Sequence, residues 1–310
     1  MVNPASDLYA AHPDWVYRVD GRPLTTIRHQ YLLDLGRDDV CDFVRGTLDG
    51  LLTAYPISYL KWDFNRPRTE SGRPGWPAAD LDGGHVRNLY RILDHLRREY
   101  PHLTIEACAA GGARVDLAMA ARADVVWPSD NTAPIDRLRI QHGFLAAHAP
   151  HLMSSWVTDA PGIFDARPRS PAFRFVLAAA GVLGIGADIA RWSAAERRQA
   201  ADWVARYKAV REVVHHGTVH RIGDPAQARC AVQYTLGDRV VVLAWNTGAL
   251  DGLGRVPARD VRLPLRGLDP AARYRHGDTA YSGSHLAAVG LPVRWTDGHD
   301  ADLIELVREP

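Results

Sequence analysis

The chain has 310 residues, in which 37 Lys and Arg stand against 36 Asp and Glu, giving a formal net charge of +1 and a pI near 7.9. That balance speaks against a nucleic-acid binder, which needs a basic face, and against a polybasic membrane-binding surface. Hydrophobic residues make up 46% and charged residues 24%, the composition of a folded globular protein and not of a disordered chain.

The opening Met1-Val2-Asn3-Pro4-Ala5-Ser6-Asp7 lacks the basic and then apolar stretches of a secretory signal. The longest apolar run, over residues 175–185, falls far short of the ~20 residues needed to cross a bilayer. Cys41, Cys108 and Cys230 are too few and too scattered for a disulfide framework or a zinc cluster. Reduced thiols and a cytoplasmic setting are therefore expected, with neither membrane nor nucleic acid as a partner.

In chain order, Val40, Phe43, Val44, Leu48, Leu51, Leu52 and Tyr55 recur at helical spacing and predict a helix over residues 39–54. Pro56 breaks it, and residues 57–63 read as a strand. Val86, Leu89, Ile92, Leu93 and Leu96 mark a second helix, stopped before Pro101, and residues 103–108 form a second strand. A short helix and a strand over 124–129 follow, and Pro134 is placed to open a helix reaching about residue 147. Strands over 151–157 and 182–188 come next, then a long helix over 193–214, opened by a capping box at Ser193 and Glu196. Alternating strands and helices predict βα units and a parallel sheet. Asp63, Cys108, Asp130 and Asp188 each fall at the C-terminal end of a strand, the active-site face of a barrel and also of an open doubly wound sheet.

Beyond about His216 the pattern changes. Residues 228–235 and 239–245 alternate around Gly237-Asp238, a hairpin signal, and further short strands are expected over 261–265, 273–276, 291–295 and 303–307. The predicted organisation is a catalytic part over residues 1–216 and an antiparallel β-sandwich domain over 217–310. A β-domain of about 95 residues leaves about 215, short of the ~250 of a full (β/α)8 barrel. Five strands can be counted there, so the fold class expected is α/β, a partial TIM-type barrel comprising about strands 4–8.

Three clusters carry chemistry. Lys61-Trp62-Asp63-Phe64-Asn65-Arg66 holds more charge than a buried strand can solvate, which suits a strand exit into a pocket. Lys61, two residues before Asp63, shares its face and can keep the carboxylate ionised. The other reading is a solvated strand end with an ordinary Lys–Asp pair. Trp127-Pro128-Ser129-Asp130-Asn131-Thr132 places a second carboxylate after another strand; a helix N-cap is its alternative, though Thr132 or Ala133 lies closer to that position. Two strand-end carboxylates suit a glycosidase, one attacking the anomeric carbon and the other protonating the leaving oxygen. The third cluster is Cys108-Ala109-Ala110-Gly111-Gly112-Ala113-Arg114, whose glycines let backbone approach a ligand; its spacing is not that of a phosphate-binding loop.

Lys61 through Arg66 resembles the K-W-D-M-N-R nucleophile motif of the α-galactosidases of glycoside hydrolase family 36. Residues 108–116 resemble that family's C-x-G-G-G-R-x-D loop, and Ser129-Asp130-Asn131-Thr132 its S-D-N-T acid/base motif. Asn3-Pro4-x-Ser6-Asp7-Leu8-Tyr9 and Arg28-x-Gln30-Tyr31-x-Leu33-Asp34 match in order. The resemblance implies retaining hydrolysis of terminal α-galactosides, with Asp63 as nucleophile and Asp130 as acid, then base. Lys61, Asn65, Arg28, Cys108 and Gly111 would hold the galactosyl ring. No metal or cofactor is implied. A transglycosylase of the same superfamily is the near alternative.

Three departures stand out. Ala133 replaces the Asp of the usual S-D-N-T-D, and Thr158-Asp159-Ala160-Pro161-Gly162 stands where V-P-N-H-Q is more common, on the aglycone side. No segment matches the family's N-terminal β-domain and first barrel strands, which motivates a second reading. In that reading the chain is a non-catalytic sugar-binding fragment, or one that needs a partner or a homo-oligomer. Elsewhere, Asp188 is a further candidate for substrate contact, Glu106 for a buried hydrogen bond, and His215-His216 for a helix C-terminal role.

Overall fold

The computed structural model describes residues 1–76, 79–159, 169–248, 260–295 and 301–310. These fall into two compact units, Met1–Trp127 and Pro128–Pro310. Residues 160–162 of the departing 158–162 segment lie outside the described residues.

The N-terminal unit begins with α1 (Asp7–Ala11), capped by the Ser6 side chain, and α2 (Asp38–Ala54). Asp38 and Asp39 in the first turn of α2 favour its N-terminus, and the chain leaves helical geometry at Tyr55, ahead of Pro56. Then come β1 (Tyr59–Asp63), α3 (Ala79–Glu99), β2 (Thr104–Cys108), α4 (Leu117–Ala120) and β3 (Val125–Val126). The three strands form one parallel sheet in the order β1-β2-β3. Leu89, Ile92, Leu93 and Leu96 bury one face of α3, while Arg97 and Arg98 suit its C-terminal turn. β3 is shorter than residues 124–129 because Trp127 makes its last bond to the Ala107 carbonyl and Pro128 has no N–H to continue the ladder.

In the C-terminal unit α5 (Pro134–Phe144) opens on its proline, as its sequence predicts, and β4 (Ser154–Thr158) pairs in parallel with β5 (Val182–Gly186). β4 starts three residues later than expected, since Pro150–Leu152 forms a 3-10 turn closed by the Met153 N–H on the Pro150 carbonyl. Between them α6 (Pro171–Ala178) buries Phe173, Phe175, Val176, Leu177 and Ala178. Buried on so many sides, it has no polar stripe by which to be recognised. α7 (Ala194–His216) carries the predicted capping box, with Glu196 N–H donating to Ser193 Oγ and Ser193 N–H to Glu196 Oε2. At its end Gly217 is required, because a Cβ there would lie 2.4 Å from the Val213 carbonyl oxygen.

The remaining elements are β6 (Thr218–Gly223), β7 (Arg229–Leu236), β8 (Arg239–Asn246), β9 (Asp260–Leu263), β10 (Arg273–His276), β11 (Thr279–Ser282), α8 (Gly283–Ala288), β12 (Leu291–Arg294) and β13 (Ala301–Arg308). They build a six-stranded antiparallel sheet, β11-β10-β13-β8-β7-β6, and a pair, β12-β9. The hairpin around Gly237 is as predicted, with φ +56° at the glycine. Cys230, Val232, Tyr234, Val241, Leu243 and Trp245 pack with α5, α6 and α7 in one core. Ala231, Val240, Val242 and Ala244 pack with Val261, Leu263, Leu291, Val293 and Trp295 in a second. β8 is therefore covered on both faces, and its run Val240–Trp245 is almost wholly apolar for that reason. Among the described helices none is long and apolar enough to cross a membrane.

Candidate active site

β1 and β2 run side by side in a register that sets Lys61 beside Glu106 and Asp63 beside Cys108. Side chains two apart on a strand share a face, so both pairs point the same way. Lys61 has a carboxylate partner in Glu106, with Nζ 3.2 Å from Oε1, and its ammonium stands 5.1 Å from the Trp127 ring centroid. Glu106 is buried and also accepts from the Tyr59 hydroxyl. Burial and this carboxylate together push the Tyr59 phenol well above its usual range. Glu106 thus takes the buried hydrogen bond anticipated for it and the positioning of Lys61 besides.

Asp63 is held by Asn65, which is itself held by backbone. Asn65 Nδ2 donates to Asp63 Oδ2, and Asn65 Oδ1 accepts the Ala110 N–H at 3.0 Å. Burial first, and then the neighbouring Asp63 carboxylate, raise the Cys108 thiol pKa to about 11, against a smaller lowering from Lys61 and the Gly111 N–H. The thiol stays neutral at physiological pH. The loop after Cys108 reverses sharply, with φ of +46° at Ala110 and +79° at Gly111. Glycine adopts that conformation freely, whereas Ala110 is strained in it, and such strain concentrates at functional sites. Arg114 closes the loop through the Cys108 carbonyl at 3.3 Å and lies over Phe64 at 5.0 Å.

Arg28 sits in the tight turn Ile27-Arg28-His29-Gln30, where Ile27 and Gln30 exchange backbone hydrogen bonds at 3.1 and 3.2 Å. Both central residues have positive φ, +54° and +60°, as a type I′ turn requires but Asn and Gly normally supply. The turn is bound to the Lys61–Arg66 run by Arg66, a buried side chain that donates to the Gln30 carbonyl at 2.6 Å and to Thr69 Oγ1 at 2.7 Å. Arg66 is a link the sequence reading missed; its presence in the motif was the only signal. The structure thus brings Lys61, Asp63, Asn65, Cys108 and Gly111 together at the β1-β2 carboxyl ends, with Arg28 tied to them through Arg66.

Asp130 lies in the C-terminal unit and is exposed. Its loop is built by neighbours. The Asn131 N–H donates to Ser129 Oγ at 3.1 Å, Asn131 Oδ1 accepts the Ala133 N–H at 3.0 Å, and Asn131 Nδ2 donates to Asp136 Oδ2 at 2.9 Å. Ala133 is the helix cap without a side-chain bond, so Asp130 is not an N-cap. The buried Arg137 donates to the Ser129 carbonyl at 2.9 Å and the Ser154 carbonyl at 2.6 Å, stapling the loop to β4; burial lowers its pKa to about 10. Neither Asp136 nor Arg137 was singled out from sequence. Asp188 follows β5, where its N–H donates to Asp159 Oδ2 at 2.9 Å. His215 ends α7 as expected and shares a hydrogen bond with the Tyr207 hydroxyl at 2.8 Å.

Comparison with known proteins shows the family of the chain. Residues 1–217 match the melibiase family and residues 229–306 the glycosyl hydrolase family 36 C-terminal domain. The chain is 34% identical over 304 residues to alpha-galactosidase AgaA of Geobacillus stearothermophilus, covering 96% of this chain and 41% of that protein. Against the alpha-galactosidase of Escherichia coli it is 31% identical over 331 residues, covering 99% and 46%. It thus spans less than half the length of these curated relatives. Among solved structures, a variant of the Geobacillus AgaA in complex with raffinose superposes with a TM-score of 0.93 at 30% identity, covering 99% of this chain and 43% of that one. The fold is that of a TIM-barrel catalytic region with a C-terminal β-domain, and the chain belongs to the melibiase family of glycoside hydrolases.

Proposed function

We propose that this protein hydrolyses terminal α-D-galactosyl groups of oligosaccharides with retention of configuration, through a covalent glycosyl-enzyme. Asp63 attacks the anomeric carbon while Asp130 gives its proton to the departing glycosidic oxygen. Asp130 then takes a proton from water, whose oxygen displaces the Asp63 carboxylate and releases galactose. Lys61, Asn65, Arg28, Cys108 and Gly111 hold the galactosyl ring. Residues 1–216 supply this site as part of a (β/α) barrel, and 217–310 form the C-terminal domain.

The observation that carries the reading is the Asp63 carboxylate, fixed by Asn65 at the carboxyl end of β1, beside Cys108 of β2. A nucleophile needs such fixed orientation. The relative solved with raffinose supports an oligosaccharide substrate. Proton NMR of early hydrolysis of 4-nitrophenyl α-D-galactoside by the purified chain tests the reading. α-Galactose should be the first anomer formed; β-galactose first would mean inversion, and no turnover would leave a sugar-binding fragment.

A further inference from the structure

The middle of β2 carries a carboxylate where an apolar side chain would be expected. Ile105 and Ala107 on either side are buried, and Glu106 between them is only 2% exposed. A buried carboxylate is costly unless it is both paired and hydrogen-bonded. Each of its oxygens has a separate partner. Oε2 accepts from the Tyr59 hydroxyl, and Oε1 lies 3.2 Å from Lys61 Nζ. Oε1 makes no hydrogen bond among the described residues, so the ammonium is its compensation. The Tyr59 phenol, raised well above its usual range by burial and then by Glu106, remains a donor.

Apolar side chains of similar volume generally serve a fold as well as a buried ion pair does, so stability alone gives no reason for this one. Its place gives one. Tyr59, Lys61 and Asp63 alternate along β1 and share a face, and the register sets Glu106 beside Lys61, one layer below Asp63 and Cys108. Two carboxylates therefore lie within reach of one lysine: Glu106 across the sheet, and Asp63 about 7 Å further along the same strand. An ammonium settled on Asp63 would engage the oxygen lone pair that has to attack carbon. An ammonium drawn towards Glu106 leaves that lone pair available. The Trp127 ring, its centroid 5.1 Å from Nζ, adds a cation–π contact in the drawn-back position.

We propose that Glu106, oriented by the Tyr59 hydroxyl, is a positioning residue of this site: it draws the Lys61 ammonium off the Asp63 carboxylate, leaving Asp63 for the anomeric carbon and Lys61 for the sugar hydroxyls. The proposal rests on the glycosidase reading above and deepens it, since Glu106 and Tyr59 act through Lys61.

A double-mutant cycle on 4-nitrophenyl α-D-galactoside hydrolysis tests it. Glu106→Gln keeps the volume and an acceptor for Tyr59 but drops the charge, and should lower kcat/KM about thirtyfold. Tyr59→Phe keeps both charges and should lower it about fivefold. In a Lys61→Met background, itself slower, each further change should cost less than about threefold, because the residue acted on is gone. An unchanged rate in either single variant, or losses that multiply in the Lys61→Met background, overturns the proposal. Lys61→Met leaves Glu106 buried without its counterion; should it fail to fold, Tyr59→Phe is added instead to Lys61→Met/Glu106→Gln, which buries no charge. A full fivefold loss there overturns the proposal, and no loss upholds it. Should the unmodified chain not turn over the galactoside, the glycosidase reading fails, and D-galactose binding followed by saturation-transfer NMR decides. A signal weakened by Glu106→Gln and by Tyr59→Phe upholds the positioning role; an equal signal, or none in the unmodified chain, refutes it.

Discussion

At the scale of single residues, the two carboxylates proposed to react each depend on partners within their own unit that do no chemistry. Asn131 shapes the loop carrying Asp130, and Asp136 holds Asn131 through one bond. The loop thereby keeps a nearby carboxylate although Ala133 stands where the family usually has Asp. Asp136→Ala should lower kcat about tenfold with little change in KM for 4-nitrophenyl α-D-galactoside, since loss of one hydrogen bond to a charged group is worth about 1.5–3 kcal/mol and part of it is recovered by water. Asp136→Asn keeps an acceptor and should restore most of the rate; equal losses in both variants would contradict a positioning role.

His85, on α3, is half-buried against Tyr17, with Nδ1 3.2 Å from the phenol oxygen, and desolvation first, then Arg68, lowers its pKa to about 4. As pH falls from about 6.5 towards 4, the unfolded chain takes a proton that the folded imidazole refuses. Stability is full above that window and is lost across it, by up to about 3 kcal/mol. Burial pushes His142 and His215 in the same direction. Urea midpoints at pH 7 and 4.5 should therefore diverge, and His85→Gln should narrow the gap. A gap of equal size in the variant would remove His85 as its source.

At the scale of elements, strands and helices with a one-sided pattern were legible. The amphipathic α2 and α3, the capped α7 and the hairpin around Gly237 all announce themselves in local sequence. α6 did not, because burial of Phe173, Phe175, Val176 and Leu177 leaves no polar face to break the run. β6 and β11 were also missed, being short and rich in polar residues such as Thr218, His220, Arg221 and Ser282. The Ser193 cap allows a direct check. Ser193→Ala removes a capping bond and should cost about 1 kcal/mol, and Tm should fall by about 2–4 °C. An unchanged Tm would show that α7 is held by the packing of its own Tyr207, Val210, Val213 and Val214 in the core alone.

At the scale of the whole molecule, the site's residue types were legible while their partnerships were not. The motifs containing Asp63, Cys108 and Asp130 could be read in sequence, since Asp63 and Cys108 end strands and Asp130 follows one. The Lys61–Glu106 pair, the Arg66 bond to the Gln30 carbonyl and the Arg137 bond to the Ser154 carbonyl join residues well separated in the chain, and nothing in local pattern specifies them. They depend on strand register and helix packing, which form only in the folded protein.

The central claim is that Asp63 forms the covalent intermediate. Incubation with a 2-deoxy-2-fluoro α-D-galactosyl donor, followed by proteolysis and mass spectrometry, should find the fluorosugar on the peptide containing Asp63, with Asp63→Ala neither labelled nor active. A label on another residue, or turnover that survives Asp63→Ala, would contradict the account.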